Sequence, residues 1–213
     1  MTIAENLSAV RARIEHAGRN PDEVAIVAVT KGFGPDVCRQ ALDAGLEVLG
    51  ENRVREALAK METVAGGTWH LIGHLQTNKV RSAAGRFDLI HSVDSIRLAE
   101  ALARINPEQK VLVEINVARE KQKTGVDPAD ANGVIDGVAD RLDLRGLMAM
   151  GPAHGDPRGA FDELRAMRDA AQERLGRALP ILSMGMSGDF EAAVAAGSTM
   201  LRLGQVLFGP RPR

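Results

Sequence analysis

The residue with the most specific chemistry in this sequence is Lys31, which ends the apolar run VAIVAVTK at residues 24–31. A strand that is buried on both faces is nearly continuous in Val, Ile and Ala, so its last side chain emerges at the rim of the sheet. We expect a lysine there to be partly desolvated, which lowers its pKa and lets the neutral amine attack a carbonyl to form an imine. The alternative is a lysine that simply extends its ammonium group into solvent.

A second candidate site lies in the glycine- and serine-rich segment SMGMSGDF, which joins a predicted strand to a predicted helix. We expect Ser187 and Gly188 at the N-cap of that helix, where free backbone N–H groups and the helix dipole favour an anion. In the next strand, Gly204 would let the backbone approach a ligand closely. Together these stretches predict a phosphate site, provided that Asp189 points away from it. The alternative is an ordinary capping serine with turn glycines.

The segments that must position these residues alternate between strand and helix. Strand-like runs are predicted at 24–31, 46–51, 68–74, 89–93, 110–117, 144–150, 181–186 and 200–208. Helical patterns lie between them, and an amphipathic helix with a capping box from Thr2 to Glu5 precedes the first strand. Eight such units predict a single α/β domain over residues 1–213, a (β/α)₈ barrel with an additional N-terminal helix. A doubly wound open sheet is the alternative. In a barrel, binding residues lie at the C-terminal ends of the strands.

Composition restricts the class of protein further. The 213 residues are 45% hydrophobic and 26% charged, and the net charge of −1 gives no electrostatic reason to expect nucleic acid or an anionic membrane as a partner. No apolar run is long enough to cross a bilayer. The single cysteine, Cys38, is typical of the reducing cytoplasm, where we expect the protein to reside. No group of His, Cys and carboxylate residues has the spacing of a metal site.

An imine-forming lysine and a phosphate site in one barrel suggest pyridoxal 5′-phosphate, an aldehyde that carries a phosphate. A different class of protein is also compatible with the same two features. In a lysine-dependent aldolase, Lys31 would attack the ketone of a sugar phosphate without any cofactor.

Short motifs that occur in a particular order along the chain carry a family resemblance. They are AVTK, LGENRVRE, WHLIGHLQTNK, HSVDS, LRGLMAMGP, LSMGMSGDFEAAVAAGSTMLRLG and FGPR. With these motifs the sequence resembles the pyridoxal phosphate homeostasis proteins, the YggS-like family, which is related to the barrel domain of bacterial alanine racemases. The resemblance extends from Val24 to Gly209.

The resemblance implies roles for seven residues. Lys31 would hold pyridoxal phosphate as a Schiff base, and Asn52 of the GEN motif would lie near its ring. Arg202 would face the pyridine nitrogen, and because a guanidinium does not readily give up a proton, the cofactor would be a weak electron sink. The residues implied for the phosphate are Ser187, Gly188, Gly204 and Gln205. Many relatives have threonine in place of Gln205, so here a hydroxyl contact is lost while the backbone N–H remains.

The sequence contains no tyrosine. Related racemases use a lysine and a tyrosine on opposite faces of the substrate, and moving a proton between faces needs a positioned acid and base on both. We also expect the second domain of the racemases to be absent. His74, which follows a predicted strand, is the histidine best placed to substitute, although a structural hydrogen bond is its more ordinary role.

We therefore predict no catalytic residue and a protein without racemase chemistry. The resemblance implies a role in homeostasis, in which the protein buffers pyridoxal phosphate and delivers it to apo-enzymes. We expect it to be a monomer. The alternative is a pyridoxal phosphate enzyme with weak or unidentified activity on amino acids.

Overall fold

Eight parallel strands close into a barrel in chain order, as seen in a computed structural model that describes residues 2–120 and 122–210. The strands are β1 Ala25–Val29, β2 Val48–Glu51, β3 Thr68–Leu71, β4 Leu89–Val93, β5 Lys110–Glu114, β6 Asp143–Met148, β7 Ile181–Ser183 and β8 Met200–Leu203. Each contains or overlaps a predicted apolar run, and the closed order excludes an open sheet. The prediction of a (β/α)₈ barrel is confirmed.

Helices connect the strands on the outside of the barrel. They are α1 Ile3–His16, α2 Pro35–Asp43, α3 Val54–Met61, α4 Val80–Ala83, α5 Ile96–Ala103, α6 Ala131–Ala139, α7 Arg158–Leu175, α8 Phe190–Ala195 and α9 Gln205–Phe208. Two 3₁₀ turns occupy Pro21–Glu23 and Thr77–Lys79. The predicted capping box is present, since Glu5 N donates to Thr2 Oγ1 (3.2 Å) and Thr2 N donates to Glu5 Oε2 (2.8 Å). Among the residues described, no helix is long and apolar enough to cross a membrane.

Most strands end earlier than the sequence predicts. Strand β1 ends at Val29 rather than at Lys31, because the chain leaves the barrel there to reach α2. The prediction for the last strand is wrong beyond Leu203. The backbone of Gly204 (φ −122°, ψ −77°) departs from the extended conformation, and the apolar residues that follow form the helical turn α9 instead.

The inside of the barrel holds both apolar and polar side chains. One buried apolar cluster comes from five strands: Val27, Leu89, Leu112, Met148 and Met200. Side chains two positions apart on a strand point to the same face, so the next inward position after Leu89 is His91 and the next after Met200 is Arg202. Both of these polar residues are buried. Buried polar side chains therefore lie beside this apolar cluster inside the barrel.

Candidate functional site

One cavity of about 550 Å³ at the open end of the barrel brings together every residue that the sequence suggests for the cofactor. These seven residues are Lys31, Asn52, Ser187, Gly188, Arg202, Gly204 and Gln205. They come from β8 and from the segments that follow β1, β2, β7 and β8, four strands that are consecutive around the closed barrel. The volume is in the range that small cofactors occupy.

The loop after β1 positions Lys31, which is half-buried and lies two residues beyond the strand. Both of its chain neighbours are fixed by hydrogen bonds. Lys60 Nζ donates to the carbonyl oxygen of Thr30 (2.9 Å), and Gly32 N donates to Glu56 Oε1 (2.7 Å). Gly32 also has a φ of +78°, a left-handed conformation that favours glycine. The backbone that carries the Lys31 amine is therefore held on both sides.

The cluster beneath this loop is centred on Lys60 of α3, a residue that sequence reasoning missed. Lys60 Nζ lies 2.6 Å from Glu51 Oε1 and 2.9 Å from Glu56 Oε1, and Thr30 Oγ1 donates to the same oxygen of Glu51 (2.6 Å). Burial lowers the pKa of Lys60, but the hydrogen bonds to Glu51 and Glu56 raise it overall, so the ammonium stays charged. The signal available in the sequence was the four-residue spacing between Glu56 and Lys60.

Asn52 presents an unsatisfied oxygen beside the cavity. Its Oδ1 is buried and accepts no hydrogen bond from any residue of the described chain. Because buried polar atoms nearly always have a partner, this oxygen has the capacity to accept a hydrogen bond from a ligand. The backbone of Asn52 packs directly on Gly73, where a Cβ atom would lie 2.4 Å from the Asn52 carbonyl oxygen. Only glycine permits that approach.

The turn between β7 and α8 contains Ser187 and Gly188, and here one detail of the prediction is wrong. The N-cap of α8 is Asp189, and Ser187 and Gly188 lie in the turn before it. The carboxylate of Asp189 accepts a hydrogen bond from Met186 N (2.6 Å), so it serves its own turn. Ser187 Oγ accepts a hydrogen bond from Val206 N (3.2 Å), which joins this turn to α9. The hydroxyl hydrogen of Ser187 remains available to a ligand.

The glycines at this end of the cavity keep the backbone accessible. A Cβ atom on Gly188 would meet no atom within 4 Å, so this glycine faces open space. A Cβ atom on Gly204 would lie 3.3 Å from the Val29 carbonyl oxygen. Within the described chain, no group accepts a hydrogen bond from the backbone N–H of Gly188 or Gln205. Such N–H groups, together with the Ser187 hydroxyl, are suited to phosphate oxygens.

Arg202 forms a buried part of the cavity wall and is only 5% exposed. Its Nη1 donates to the carbonyl oxygen (2.8 Å) and to Oγ (2.7 Å) of Ser183, and its Nη2 donates to the carbonyl oxygen of Ala149 (2.8 Å). Burial lowers the pKa of the guanidinium to about 10, so it remains a cation at neutral pH.

The histidine that the sequence placed best for catalysis lies outside this cavity. His74 is 43% exposed, and its Nδ1 lies 3.3 Å from Asp94 Oδ2. It lines a neighbouring surface groove with Arg53 and Lys79. In the structure, His74 therefore makes a structural contact with Asp94.

Comparisons with known proteins agree with the motifs. The family described as alanine racemase, N-terminal domain, matches residues 2–212. The pyridoxal phosphate homeostasis protein of Aquifex aeolicus is 40% identical over 226 residues, which cover 99% of both chains. Its counterpart in Escherichia coli strain K12 is 39% identical and covers 98% of this chain and 97% of the relative. This chain belongs to the pyridoxal phosphate homeostasis protein family. The resemblance seen in the sequence is confirmed, although the last residue of its FGPR motif, Arg211, lies outside the described residues.

Solved structures show that the fold of this family is similar to that of the racemases' barrel. PipY from Synechococcus elongatus, solved with PLP bound, has a TM-score of 0.85 at 36% identity, over 98% of this chain and 100% of PipY. The alanine racemase of Corynebacterium glutamicum has a TM-score of 0.77 at 19% identity, and the match covers 99% of this chain but 61% of the racemase. The second comparison shows a shared barrel fold.

Proposed function

We propose that this protein binds pyridoxal 5′-phosphate in the cavity at the open end of the barrel and acts in the homeostasis of that cofactor. When bound, the cofactor supplies an aldehyde that condenses reversibly with an amine. The observation that carries the proposal is the convergence of the Lys31 amine, the Arg202 guanidinium and the glycine-lined turns on one cavity. The PLP-bound structure of PipY, which shares this fold at 36% identity, supports it.

The residues around the cavity fit each part of this ligand. Lys31 provides the amine for a Schiff base. Asn52 Oδ1 provides an acceptor that the described chain leaves unsatisfied, and Arg202 provides a buried cation for the pyridine ring. At the other end, the Ser187 hydroxyl and the backbone N–H groups of Gly188 and Gln205 provide donors for phosphate oxygens, with Gly204 leaving room for their approach.

We further propose that the protein holds and releases the cofactor without racemase turnover. The sequence has no tyrosine to act on the second face of a substrate, and His74 does not line the cavity. An incoming amine that displaces Lys31 gives a route for release, and apo-enzymes would receive the cofactor. The relatives' naming as homeostasis proteins supports this role. We propose that the protein performs it as a monomer.

The decisive experiment treats purified protein with pyridoxal phosphate and then with borohydride. We expect a visible absorption band that reduction bleaches, and an adduct mass on the peptide that contains Lys31. Lys31→Ala should lose both, whereas Lys110→Ala, which removes an exposed lysine at the start of β5, should keep both. An undiminished adduct in Lys31→Ala would reject the assigned site.

Two further outcomes would reject the proposed role. Exchange of the α-proton of an amino acid by the loaded protein would establish a pyridoxal phosphate enzyme. Failure to bind the cofactor, together with borohydride trapping of a ketose phosphate on Lys31, would establish an aldolase.

A further inference from the structure

A chain of polar side chains crosses the inside of the barrel directly beneath the proposed cofactor cavity. It starts at Arg202 on β8, whose Nη1 donates to Ser183 Oγ on β7 (2.7 Å). Ser183 Oγ lies 3.1 Å from His91 Nδ1 on β4, and His91 Nε2 lies 3.1 Å from His70 Nδ1 on β3. All four side chains are buried. The chain therefore connects the cavity wall to the far side of the barrel.

The donors in this chain all point in one direction. A guanidinium can only donate, so Ser183 Oγ accepts from Arg202. The hydroxyl hydrogen of Ser183 then needs an acceptor, and His91 Nδ1 is the partner that the described chain offers. A neutral His91 must carry its proton on Nε2, and it therefore donates to His70 Nδ1.

Neutral histidines are what the surroundings favour. Burial, with smaller contributions from His70 and Arg202, lowers the pKa of His91 well below its ordinary range. Burial also lowers the pKa of His70 to about 4, although Asp88 opposes this shift. The carboxylates of Glu114 and Asp189 raise the pKa of Arg202 and partly offset the effect of burial. The guanidinium is therefore charged at neutral pH, whereas the two histidines are neutral.

The chain constrains the orientation of Arg202. The guanidinium uses three of its five N–H groups in contacts with the protein: two donate to the backbone carbonyl oxygens of Ser183 and Ala149, and one donates to Ser183 Oγ, the member of the chain that orients it from the side of His91. While that hydroxyl donates to His91, its lone pairs face the guanidinium, and the contact with Ser183 Oγ keeps the correct polarity. Without His91 as acceptor, the hydroxyl can rotate and its hydrogen can face the guanidinium.

We infer that Ser183 and His91 are positioning residues for the cofactor: through this one-directional chain they hold the Arg202 guanidinium against the ring end of the cavity. The inference rests on the proposed function, because it concerns how the bound pyridine ring is contacted. Neither residue lines the cavity, so both act on the ligand through Arg202.

The test compares the absorption spectrum and the dissociation constant of bound pyridoxal phosphate among variants. Ser183→Ala and His91→Leu should shift the absorption maximum and raise the dissociation constant about tenfold, because a displaced Arg202 guanidinium would lose one charged hydrogen bond to the pyridine ring. His91→Asn, which retains an acceptor near the position of Nδ1, should restore wild-type values. Ser183→Cys, of similar size to serine but a poor acceptor, should behave like Ser183→Ala and serves if the alanine variant does not fold.

Ser198→Ala is the matched control. Ser198 is also fully buried and donates to the carbonyl oxygen of Met184 (2.7 Å), but it is not one of the four side chains that connect Arg202 to His70. We expect it to lower thermal stability while the spectrum stays unchanged.

The outcomes separate the two proposals. Suppose that wild-type protein forms the Lys31 adduct. If folded Ser183 and His91 variants then show the wild-type spectrum and dissociation constant, this inference alone is overturned. Wild-type protein that forms no adduct would overturn the proposed function and this inference with it.

Discussion

Lys60 Nζ lies 2.6 Å from Glu51 Oε1, and both side chains are buried beneath the loop that carries Lys31. Removing a charge from water is costly, so such a pair is maintained only while each member compensates the other. Here the pair also has a positional consequence, because Lys60 and Glu56 bind the backbone on either side of Lys31. The ion pair therefore links the stability of the barrel to the placement of the amine.

The first prediction concerns Lys60→Met. This change leaves the Glu51 carboxylate buried without its cation, and we expect a loss of about 3–5 kcal/mol in the free energy of unfolding at neutral pH. Burial already raises the pKa of Glu51, although Lys60 and Thr30 oppose the shift. In the variant the folded state therefore holds its proton more tightly than the unfolded chain does, and stability falls as pH rises between the two pKa values.

Urea unfolding of wild type and Lys60→Met at about pH 5 and about pH 8 checks this prediction. The deficit of the variant should be smaller at the lower pH. A second substitution, Glu51→Gln, should recover part of the loss because it removes the uncompensated charge. An equal deficit at both pH values would contradict the argument.

The second prediction concerns the proton uptake of His70. Burial lowers its pKa from an ordinary 6.5 to about 4, so between these values the unfolded chain binds a proton that the folded chain does not. Stability from this group is present above pH 6.5 and is lost as pH falls towards 4, by up to about 3 kcal/mol. Buried Glu114, whose pKa burial raises, acts in the opposite direction.

The His70→Asn variant isolates that contribution, because its amide oxygen can still accept from His91 and does not titrate. Its free energy of unfolding should decrease less steeply than that of wild type between about pH 6.5 and about pH 5. Ser198→Ala, a buried substitution without a titratable group, should keep the wild-type slope. Parallel curves for His70→Asn and wild type would refute the buried neutral histidine.

The third prediction uses the close packing of Gly73 on Asn52. In Gly73→Ala the new methyl group must displace the Asn52 backbone, which it would otherwise meet at 2.4 Å. We expect a loss of about 1–3 kcal/mol in stability and a weaker affinity for pyridoxal phosphate. Differential scanning calorimetry and titration of the absorption band measure the two effects.

Gly133→Ala is the control for Gly73→Ala. Gly133 lies within α6, where a Cβ atom would meet nothing within 4 Å, so alanine should stabilise the helix by about 0.5–1 kcal/mol and leave affinity unchanged. If Gly73→Ala binds pyridoxal phosphate with wild-type affinity, Asn52 does not contribute to binding of the ligand.

The fourth prediction assigns Ser187 to the phosphate. Ser187→Ala removes a hydroxyl that the turn presents to the cavity, and the loss of one hydrogen bond to a charged ligand should weaken binding of pyridoxal phosphate about tenfold. Pyridoxal, which lacks the phosphate, should bind wild type and variant equally. If the substitution weakens both ligands by the same factor, Ser187 acts on the ring or on the fold instead.

The sequence predicted the barrel because each strand is a short apolar run between helical patterns. Because the strand ends of a barrel converge on one face, the sequence also predicted that Lys31, Ser187, Gly188 and Gly204 lie close together. The family resemblance implied the other three residues, Asn52, Arg202 and Gln205, which line the same cavity. The ends of the strands were less predictable. The residues after Leu203 are apolar in either conformation, and only the backbone of Gly204 shows that they form a helix.

The polar clusters were beyond the reach of the sequence for a different reason. Lys60 meets Thr30 and Glu51 because α3 packs against the loop after β1 and the end of β2, and no local pattern encodes those contacts. The contact between Ser183 and His91 likewise joins β7 to β4 across the barrel. A serine at a strand end carries no sign of which side chain lies opposite.

The junction between β7 and β8 has a single paired position, Ser183 with Met200, fewer than any other junction of the barrel. Backbone bonds beyond the strands supplement it, from Met184 N to the Met200 carbonyl oxygen (3.2 Å) and from Arg202 N to the Gly185 carbonyl oxygen (3.0 Å). Bonds to the Ser183 and Ser187 hydroxyls, from Arg202 within the barrel and from Val206 N at its rim, add to these. A ligand whose phosphate contacts both turns would bridge this junction, so the junction should open less readily in the loaded protein than in the empty one. The concentration of pyridoxal phosphate and the thermodynamic stability of the fold would then be coupled at this junction.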